Sequence, residues 1–449
     1  MKIIYVVLAS MLLVTACDND LDQTPPKELE SSALTNYTPV LYAAYHYQTG
    51  AATPLVVMGD FRADNMLMRE EPYPAFDRYN RDLAGGDLVE QFFRPLYSNL
   101  YKAILSANNV IDNSTKPTEV AEAKFLRALS YFKLVMVFGD VPVNLSPTPN
   151  VSDLSILARK SKAEIYDNII IPDFIAARDG LDNSLKASGR ASRIAAQAFL
   201  GKVYMHRGNY PLAVTELGAV VSGAATAGVT LETSFANVVK DASKEILFAT
   251  KFSSSISDVY GFTEFEAWFR GADTKSPTPL DPRLTAAFDA NASSAIISGG
   301  VDLRKALTID VVNKKGIKFG TSLNLEQDFI ELRLSDVILM NAEALNETSN
   351  ANGTQSATIL AGLNAIRTRA GLTSLVGTAT TQAAVRTAIA KERRVELALE
   401  GHRWFDLVRT STVDAEMGLT VNSNYHIFPI PNSEITATNG VITQNPGYE

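Results

Sequence analysis

Apolar residues recur along most of this chain at the spacing of an α-helix. In residues 121–138 they fall at relative positions 0, 3, 4, 7, 10 and 11 from Phe125 to Met136, so that one face of a helix is apolar. Residues 331–347 and 385–399 repeat this spacing. Strand-like patterns are few and short, the best lying at 245–252 and 426–430. The pattern predicts a mainly α fold.

Residues 194–227 resemble one tetratricopeptide-like helix pair. Gly201 allows two helices to approach closely, and Tyr204 and Leu217 are placed to fill the space between them. Looser helix pairs can be drawn at 93–138, 331–369 and 385–410, but they are too degenerate to count as repeats by themselves. Residues of about 253–330 are rich in Ser, Thr, Gly, Asp and Asn, and predict a loop-rich insert outside the helical scaffold.

The N-terminus has the pattern of a lipoprotein signal. Lys2 precedes an apolar run of 11 residues from Ile3 to Leu13, which is too short to span a membrane, and small residues then lead to Cys17. Cys17 is the only cysteine in the chain and stands where a lipobox needs it, although a plain secretory signal is the alternative. We expect a signal peptide at 1–16, an acidic, proline-bearing tether at 17–26 that begins at lipidated Cys17, and a single domain at 27–449.

Composition narrows the classes of function. With 41 Lys and Arg against 49 Asp and Glu among 449 residues, the net charge is −8, and no basic run suggests a nucleic-acid partner. The single cysteine excludes an internal disulfide. Only two Trp are present, Trp268 and Trp404, so a broad aromatic platform for a long polysaccharide is not expected. If a sugar binds, a small site for a short or branched ligand is predicted.

Three groups of residues have side chains of the types found in catalytic or metal sites. Glu392, Glu396 and Glu400 lie among arginines, and the expected explanation is ion pairing with neighbouring Arg at helical spacing while Trp404 fills the core. Ser130 and Lys133 have the Ser-x-x-Lys spacing of some nucleophilic enzymes, but they lie in a strongly patterned helix without companion motifs. The four histidines, at 46, 206, 402 and 426, are too scattered for a zinc site. We expect no enzyme, no metal and no cofactor.

Five stretches together resemble the SusD/RagB-like family of surface nutrient-binding lipoproteins of Bacteroidetes-type bacteria. They are EAKFLRALSYFKLVMVFGDVP at 122–142, AAQAFLGKVYMHRGNY at 195–210, LRLSDVILMNAEALN at 332–346, ERRVELALEGHRWFDLVR at 392–409, and a tail with FPIPNSE at 428–434 and TQNPGY at 443–448. The stretch at 392–409 is the most specific. With the lipobox, the resemblance extends over essentially the whole chain.

The resemblance implies a helical body of tetratricopeptide-like pairs with a loop-rich ligand-binding part. It implies a protein that is lipid-anchored in the outer membrane, faces the cell exterior, and passes a nutrient to a SusC-like TonB-dependent transporter without chemistry. An oligosaccharide is the expected ligand. Capture of a peptide or another non-sugar nutrient is the alternative, and a tetratricopeptide-like scaffold that binds protein alone is a third hypothesis.

Two regions supply candidate ligand contacts, since sugar C–H faces pack on aromatic rings and polar side chains bind the hydroxyls. In this family the corresponding segments tend to carry such contacts, and no motif defines the individual residues. Trp268 is as well explained by core packing as by stacking on a ligand, and packing is favoured for Tyr73 and Tyr79. The candidates are Asp64, Asn65, Tyr73 and Tyr79 in the early region, and Tyr260, Trp268, Phe269 and Arg270 in the insert.

Overall fold

The computed structural model of the protein describes residues 34–148, 153–253, 264–271, 277–292, 301–320, 324, 326–349, 353–377 and 379–449. The predicted signal peptide, Cys17, the tether and Tyr260 lie outside these residues. Among the described residues, no helix is long and apolar enough to cross a membrane.

Ten helices of nine residues or more dominate the described part of the chain, which confirms the mainly α fold. They are α1 (Thr38–His46), α2 (Arg94–Asn113), α3 (Pro117–Phe138), α4 (Ile171–Gly180), α5 (Arg193–His206), α6 (Tyr210–Gly223), α7 (Pro282–Ala292), α8 (Leu334–Thr348), α9 (Gly353–Arg369) and α10 (Gln382–Glu396).

Shorter elements connect these helices. The short α-helices are Ala52–Val56, Ala75–Arg78, Gly86–Leu88, Lys162–Ile165, Phe265–Arg270, Lys305–Thr308, Arg403–Arg409, Val413–Met417 and Asn432–Ala437. Single π turns lie at Val57–Phe61, Val89–Phe93 and Tyr166–Ile170, and 3₁₀ turns at Tyr47–Ala51, Arg81–Ala84, Leu154–Leu157, Ser184–Ser188, Phe235–Asn237 and Ser423–His426. The strands are β1 (Val141–Pro142), β2 (Arg159–Lys160), β3 (Ile246–Thr250), β4 (Ile309–Asp310), β5 (Lys315–Gly316) and β6 (Phe329–Arg333).

Consecutive long helices pack as a stack of pairs, as predicted. α2 packs on α3, α3 on α4, α4 on α5 and α5 on α6. In the α5–α6 pair, a Cβ atom on Gly201 would lie 2.5 Å from Cδ2 of Leu217, so only glycine permits this approach. The stack continues from α6 directly to α8 and then to α9 and α10, so the stretch between α6 and α8 is inserted into it.

Two strand predictions had different outcomes. The strand predicted at 245–252 is β3, which pairs antiparallel with β6. The pairing also explains why the helix predicted from residue 331 begins only at Leu334, because 329–333 are drawn into the sheet. The strand predicted at 426–430 is wrong. The backbone N–H of Phe428 bonds to the carbonyl of Val137 at the end of α3, 2.9 Å away, instead of to another strand.

The described part of the insert contains more regular structure than its composition predicted. Its described residues contain α7, two short helices and the β4–β5 hairpin. Phe265, Leu284 and Phe288 are fully buried and belong to the same hydrophobic core as the helix stack. This part of the insert therefore shares the hydrophobic core of the helix stack without being one of its helix pairs. Apolar side chains spaced irregularly along the chain converge only in three dimensions.

Trp404 is fully buried, as predicted, but the carboxylates around it have other partners than expected. Glu396 binds Nη1 of Arg333 at 2.8 Å and Nη1 of Arg304 at 3.0 Å, and Glu400 binds Nε of Arg333 at 2.7 Å. The prediction of pairing with neighbouring Arg at helical spacing is wrong for these residues. Their partners come from β6 and from the insert, and we call this group the Glu396 network.

The Glu396 network is closed off from water. Besides these residues it contains others whose side chains are at most 5% exposed, namely Glu245, Asp302, Lys318, Arg367, Arg369 and Glu392. Burial acts to raise the pKa of Glu400, but the charges of Arg333 and Lys318 outweigh it and lower that pKa to about 2. Glu400 is therefore ionised at neutral pH.

Replacing Arg333 by Met should destabilise the fold by about 3–5 kcal/mol, because Glu245, Glu396 and Glu400 would each lose a buried partner. Urea unfolding followed by circular dichroism measures the change. The matched control is Arg94→Met, which removes a surface pair with Glu90 in which both side chains are more than half exposed. We expect less than about 1 kcal/mol there. Equal losses in the two variants would contradict the role given to the network.

Candidate ligand-binding site

Residues 59–65, which we call the early segment, are fixed to the turn at 399–401 by a buried carboxylate and by backbone contact. Asp60 accepts hydrogen bonds from the backbone N–H groups of Leu399 and Gly401, at 3.1 and 2.6 Å, and from Nδ2 of Asn65 at 2.7 Å. Burial raises the pKa of Asp60 to about 6. A Cβ atom on Gly59 would lie 2.1 Å from the carbonyl oxygen of Gly401, so the two backbones touch.

Asp64 and Asn65, both predicted to contact ligand, face into the protein. Asp64 is 1% exposed and accepts hydrogen bonds from Arg403 at 2.8 and 3.1 Å. It also lies 2.7 Å from Arg394. Burial acts to raise the pKa of Asp64, yet the hydrogen bond and charge of Arg403, with the charge of Arg394, hold it below its usual range. Because the carboxylate of Asp64 binds these two arginines, we assign it a role in stabilising the fold.

The two predicted regions meet in one aromatic cluster. Trp268 packs edge-on against Tyr73, Phe92 and Phe61, with ring centroids 5.2, 5.4 and 6.4 Å apart. Phe269 stacks on Phe61 at 5.6 Å. The backbones are joined as well, through hydrogen bonds from Leu67 N–H to the Pro279 carbonyl and from Asp281 N–H to the Asn65 carbonyl. The sequence pointed to both regions without showing that they are in contact.

Burial decides between the alternatives for the rings. Trp268 is 5% exposed and Phe269 1%, so neither presents a free face, and packing rather than ligand stacking describes them in this structure. Tyr79 stacks on Trp404 at 5.6 Å, and its hydroxyl donates to the carbonyl of Arg62 at 2.8 Å. The direct-contact role that the sequence suggested for these three residues is corrected to a supporting one.

Tyr73 and Arg270 are the described candidates that keep some exposure. Tyr73 is half-buried and its hydroxyl donates to Oε1 of Gln91 at 3.0 Å. Arg270 is mostly buried, with Nη1 3.8 Å from Oε1 of Glu266. Both border the line where residues 57–79 meet residues 264–271 and 277–283, and we call this surface the junction face.

The junction face also contains two polar residues that were not among the predicted contacts. Asp77 is half-buried, and its Oδ1 atom has no hydrogen-bond partner. Burial raises its pKa to about 7 against the opposing charge of Arg62. The side chain of Arg283 is 42% exposed and donates to Asp281 at 2.6 Å. The only sequence signal for either residue was its position next to a predicted region.

The serine and lysine with the Ser-x-x-Lys spacing have structural partners. Ser130 donates to the carbonyl of Leu126 at 2.7 Å, and Lys133 pairs with Glu331 at 2.5 Å. Gln48 links the two side chains, since it donates to Ser130 at 2.7 Å and accepts from Lys133 at 3.0 Å, so both belong to one buried polar network of the core. Within the described residues, no group of three or more His, Cys, Asp or Glu side chains is arranged to hold a metal ion.

Two family models match this chain. Residues 298–448 match the model of the SusD family, and residues 19–205 match the model described as "Starch-binding associating with outer membrane". Among curated relatives, SusD-like protein P2 of Formosa agariphila is 25% identical over 518 aligned residues, covering 100% of this chain and 99% of that protein. SusD-like protein P25 of the same organism is 27% identical and covers 79% of each chain.

Solved structures show the same fold over nearly the whole length. A laminarin-binding SusD-like protein aligns with a TM-score of 0.68 at 25% identity, covering 92% of this chain and 99% of that one. A SusD superfamily protein from Bacteroides vulgatus aligns with a TM-score of 0.76 at 20% identity, covering 93% and 99%. The two family models, the full-length relatives and the shared helical fold agree, and the chain belongs to the SusD/RagB-like family.

Proposed function

We propose that this protein binds an oligosaccharide and delivers it, unchanged, to a SusC-like TonB-dependent outer-membrane transporter. The observation that carries the proposal is the similarity to a laminarin-binding SusD-like protein, which extends over 92% of this chain at 25% identity. The family description that matches residues 19–205 names starch binding and the outer membrane, which supports the same class of ligand and the same location.

We place the sugar contacts at the junction face. Tyr73 offers part of a ring against which a sugar C–H face can pack. Asp77, Arg270 and Arg283 border it with donors and acceptors for hydroxyl groups. The buried rings of Trp268 and Phe269 lie beneath this surface and hold its two halves together.

We propose that the ligand is short or branched. Trp268 and Trp404 are 5% and 0% exposed, so neither tryptophan of the chain adds a flat outer platform. Tyr73 is only half-buried and therefore contributes a limited area of ring. Contact with a few sugar units suits such a surface better than contact along an extended chain.

We further propose that Cys17 carries the lipid that holds the protein in the outer membrane, facing the cell exterior. Each buried CH₂ of an acyl chain contributes about 0.8 kcal/mol, so a multiply acylated cysteine gives stable attachment without a membrane-spanning helix. Residues 17–26 would then serve as a tether between the membrane and the folded body.

Isothermal titration against laminarin oligosaccharides, starch-derived oligosaccharides and mixed peptides tests the ligand class. We expect heat of binding with at least one sugar. Heat with peptides and with no sugar would contradict the proposal and favour the non-sugar alternative. No heat of binding with either sugars or peptides, together with capture of the transporter alone, would favour a protein-binding scaffold.

Variants at the junction face test whether the sugar binds there. Tyr73→Ala should weaken sugar binding at least about tenfold, equivalent to about 1.4 kcal/mol, because the partly open ring is lost. Tyr73→Phe should retain affinity, and Tyr42→Ala, at a tyrosine 51% exposed on α1, is the control for losing a surface ring. Trp268→Ala should instead lower the free energy of unfolding by about 3–5 kcal/mol through the cavity it leaves. A folded Tyr73→Ala variant with unchanged affinity would place the site elsewhere.

Replacing Cys17 by Ala should release the protein from the outer membrane and abolish labelling with a palmitate analogue in growing cells. Cell fractionation and the label report on the two effects independently. An unlabelled protein that stays in the outer-membrane fraction would show that something other than an acyl chain on Cys17 retains it.

A further inference from the structure

A cavity lies away from the aromatic cluster, between α10, the helix Arg403–Arg409 and the α6–α8 pair. Its volume is about 350 Å³, within the range of about 300–1,000 Å³ that small-ligand pockets occupy. Among the predicted contacts, Asn65 alone lines it. Because five arginines line it, we call it the arginine cleft; they are Arg386, Arg393, Arg394, Arg403 and Arg409.

Each of these arginines is already paired with a carboxylate. Arg386 binds Glu347 through two hydrogen bonds of 2.7 Å, and Arg409 binds Glu343 at 2.5 and 2.8 Å. The remaining pairs are Arg393 with Asp336 and Asp406, Arg394 with Asp64, and Arg403 with Asp64 and Glu416. The wall is therefore charged but locally balanced, and an anion would meet no uncompensated cation.

Paired guanidinium and carboxylate groups still offer hydrogen bonds in fixed directions. A guanidinium has five N–H donors, and an ionised carboxylate has about four acceptor positions. Asp406 is fully engaged by Arg393 and Arg409, whereas the side chain of Glu416 is 43% exposed and keeps acceptor positions open to the cleft. Hydroxyl groups of Thr410, Ser411 and Thr412 line it too. Such a wall suits a ligand that both donates and accepts at many positions.

Two buried polar atoms favour the same chemistry. Oδ1 of Asn65 and Nε of Arg394 both belong to residues that line the cleft, and neither has a hydrogen-bond partner. The residues are adjacent, since Arg394 donates to the backbone carbonyl of Asp64 at 3.0 Å. One atom is an acceptor and the other a donor. Both atoms are enclosed by protein, and their donor and acceptor chemistry matches a hydroxyl group, whereas a carboxylate, sulfate or phosphate could serve only the donor.

The cleft also has apolar surface. Ile389, Leu397 and Leu407 are buried side chains on its wall, and the half-buried ring of Tyr210 lies at the end where α6 begins. Apolar side chains with one ring, surrounded by directed polar groups, match the alternating C–H faces and hydroxyls of a pyranose.

We propose that the arginine cleft is a second sugar site, which binds an uncharged monosaccharide or disaccharide unit separately from the junction face. The choice of ligand class rests on the proposed function, while the preference for an uncharged sugar comes from the balanced wall of the cleft itself.

The test fills the cleft without removing any ion pair. Ala390 is an exposed residue of α10 that lines the cleft, so Ala390→Trp places a large side chain in it. Ala383→Trp makes the same change at an exposed position on the same helix outside the cleft and is the matched control. Thermal unfolding confirms that both variants are folded.

Saturation-transfer NMR with the full chain and a laminarin-derived disaccharide supplies the readout. Both tryptophan variants are made in the Tyr73→Ala background, which removes the contribution of the junction face. We expect transfer to the sugar with Tyr73→Ala alone and with Ala383→Trp added, and at least a fivefold smaller signal with Ala390→Trp added. Glucuronic acid should give a weaker signal than glucose. Equal signals from Ala390→Trp and Ala383→Trp would overturn the site, and stronger transfer to glucuronic acid would overturn the preference for an uncharged ligand.

Failure of this inference differs from failure of the proposed function. If titration shows oligosaccharide binding that Tyr73→Ala abolishes, and the disaccharide gives no transfer in any variant, the cleft is refuted and glycan binding stands. If no sugar binds in titration or in NMR, both are refuted.

Discussion

The buried ion pairs between Glu396 and arginines from distant parts of the chain are the constraint on which the rest of the structure depends. Arg333 approaches from the sheet, Arg369 from α9 and Arg304 from the insert, and all three meet a single carboxylate at the end of α10. Removing such charges from water costs several kcal/mol per ion unless each is paired and hydrogen-bonded. The three elements are therefore held at defined positions around Glu396, since moving any one of them would leave a charge unpaired in the interior.

The turn that follows Glu396 connects the Glu396 network to the junction face. Glu400 is held by Arg333 and Lys318, and the next residue, Gly401, donates its N–H to Asp60 in the early segment. The early segment in turn contacts the insert through Trp268 and Phe61. Two segments separated by some two hundred positions in sequence thus meet because both are fixed against one turn. Asp64 continues the chain of contacts to Arg394 and Arg403, whose side chains form part of the arginine cleft.

The helices could be predicted from sequence because their signals are local. The spacing within α3 and the Gly201–Leu217 contact depend on residues a few turns apart, and both agree with the structure. The partners of the glutamates could not be found in this way. Arg333 lies 63 positions from Glu396, and Arg304 lies 88 positions from Glu392. Helical spacing suggests only the neighbours, and the neighbouring Arg393 is engaged with Asp336 and Asp406 instead.

The residues of the candidate ligand-binding site were the hardest to predict for the same reason. Trp268 stands in a stretch without periodicity, so its sequence context left packing and ligand contact equally plausible. Only the approach of Phe61, Tyr73 and Phe92 from the other region settles its burial. Asp77 and Arg283 were overlooked because nothing in the sequence distinguishes a charged residue at a binding surface from an ordinary solvated one.

The protonation of Asp77 connects the two proposed sites through one chemical preference. Burial raises the pKa of this carboxyl to about 7, so near neutral pH a substantial fraction of it is protonated. A protonated carboxyl donates through its O–H and accepts through its carbonyl oxygen, which is the complement of a sugar hydroxyl. It would also avoid strong repulsion of a ligand by a fixed negative charge. In the arginine cleft the same balance is reached by ion pairing, since each cation there is neutralised by a carboxylate. Both surfaces are thus suited to hydroxyl groups on an uncharged ligand, and their different ways of limiting net charge favour a neutral glycan over an acidic one.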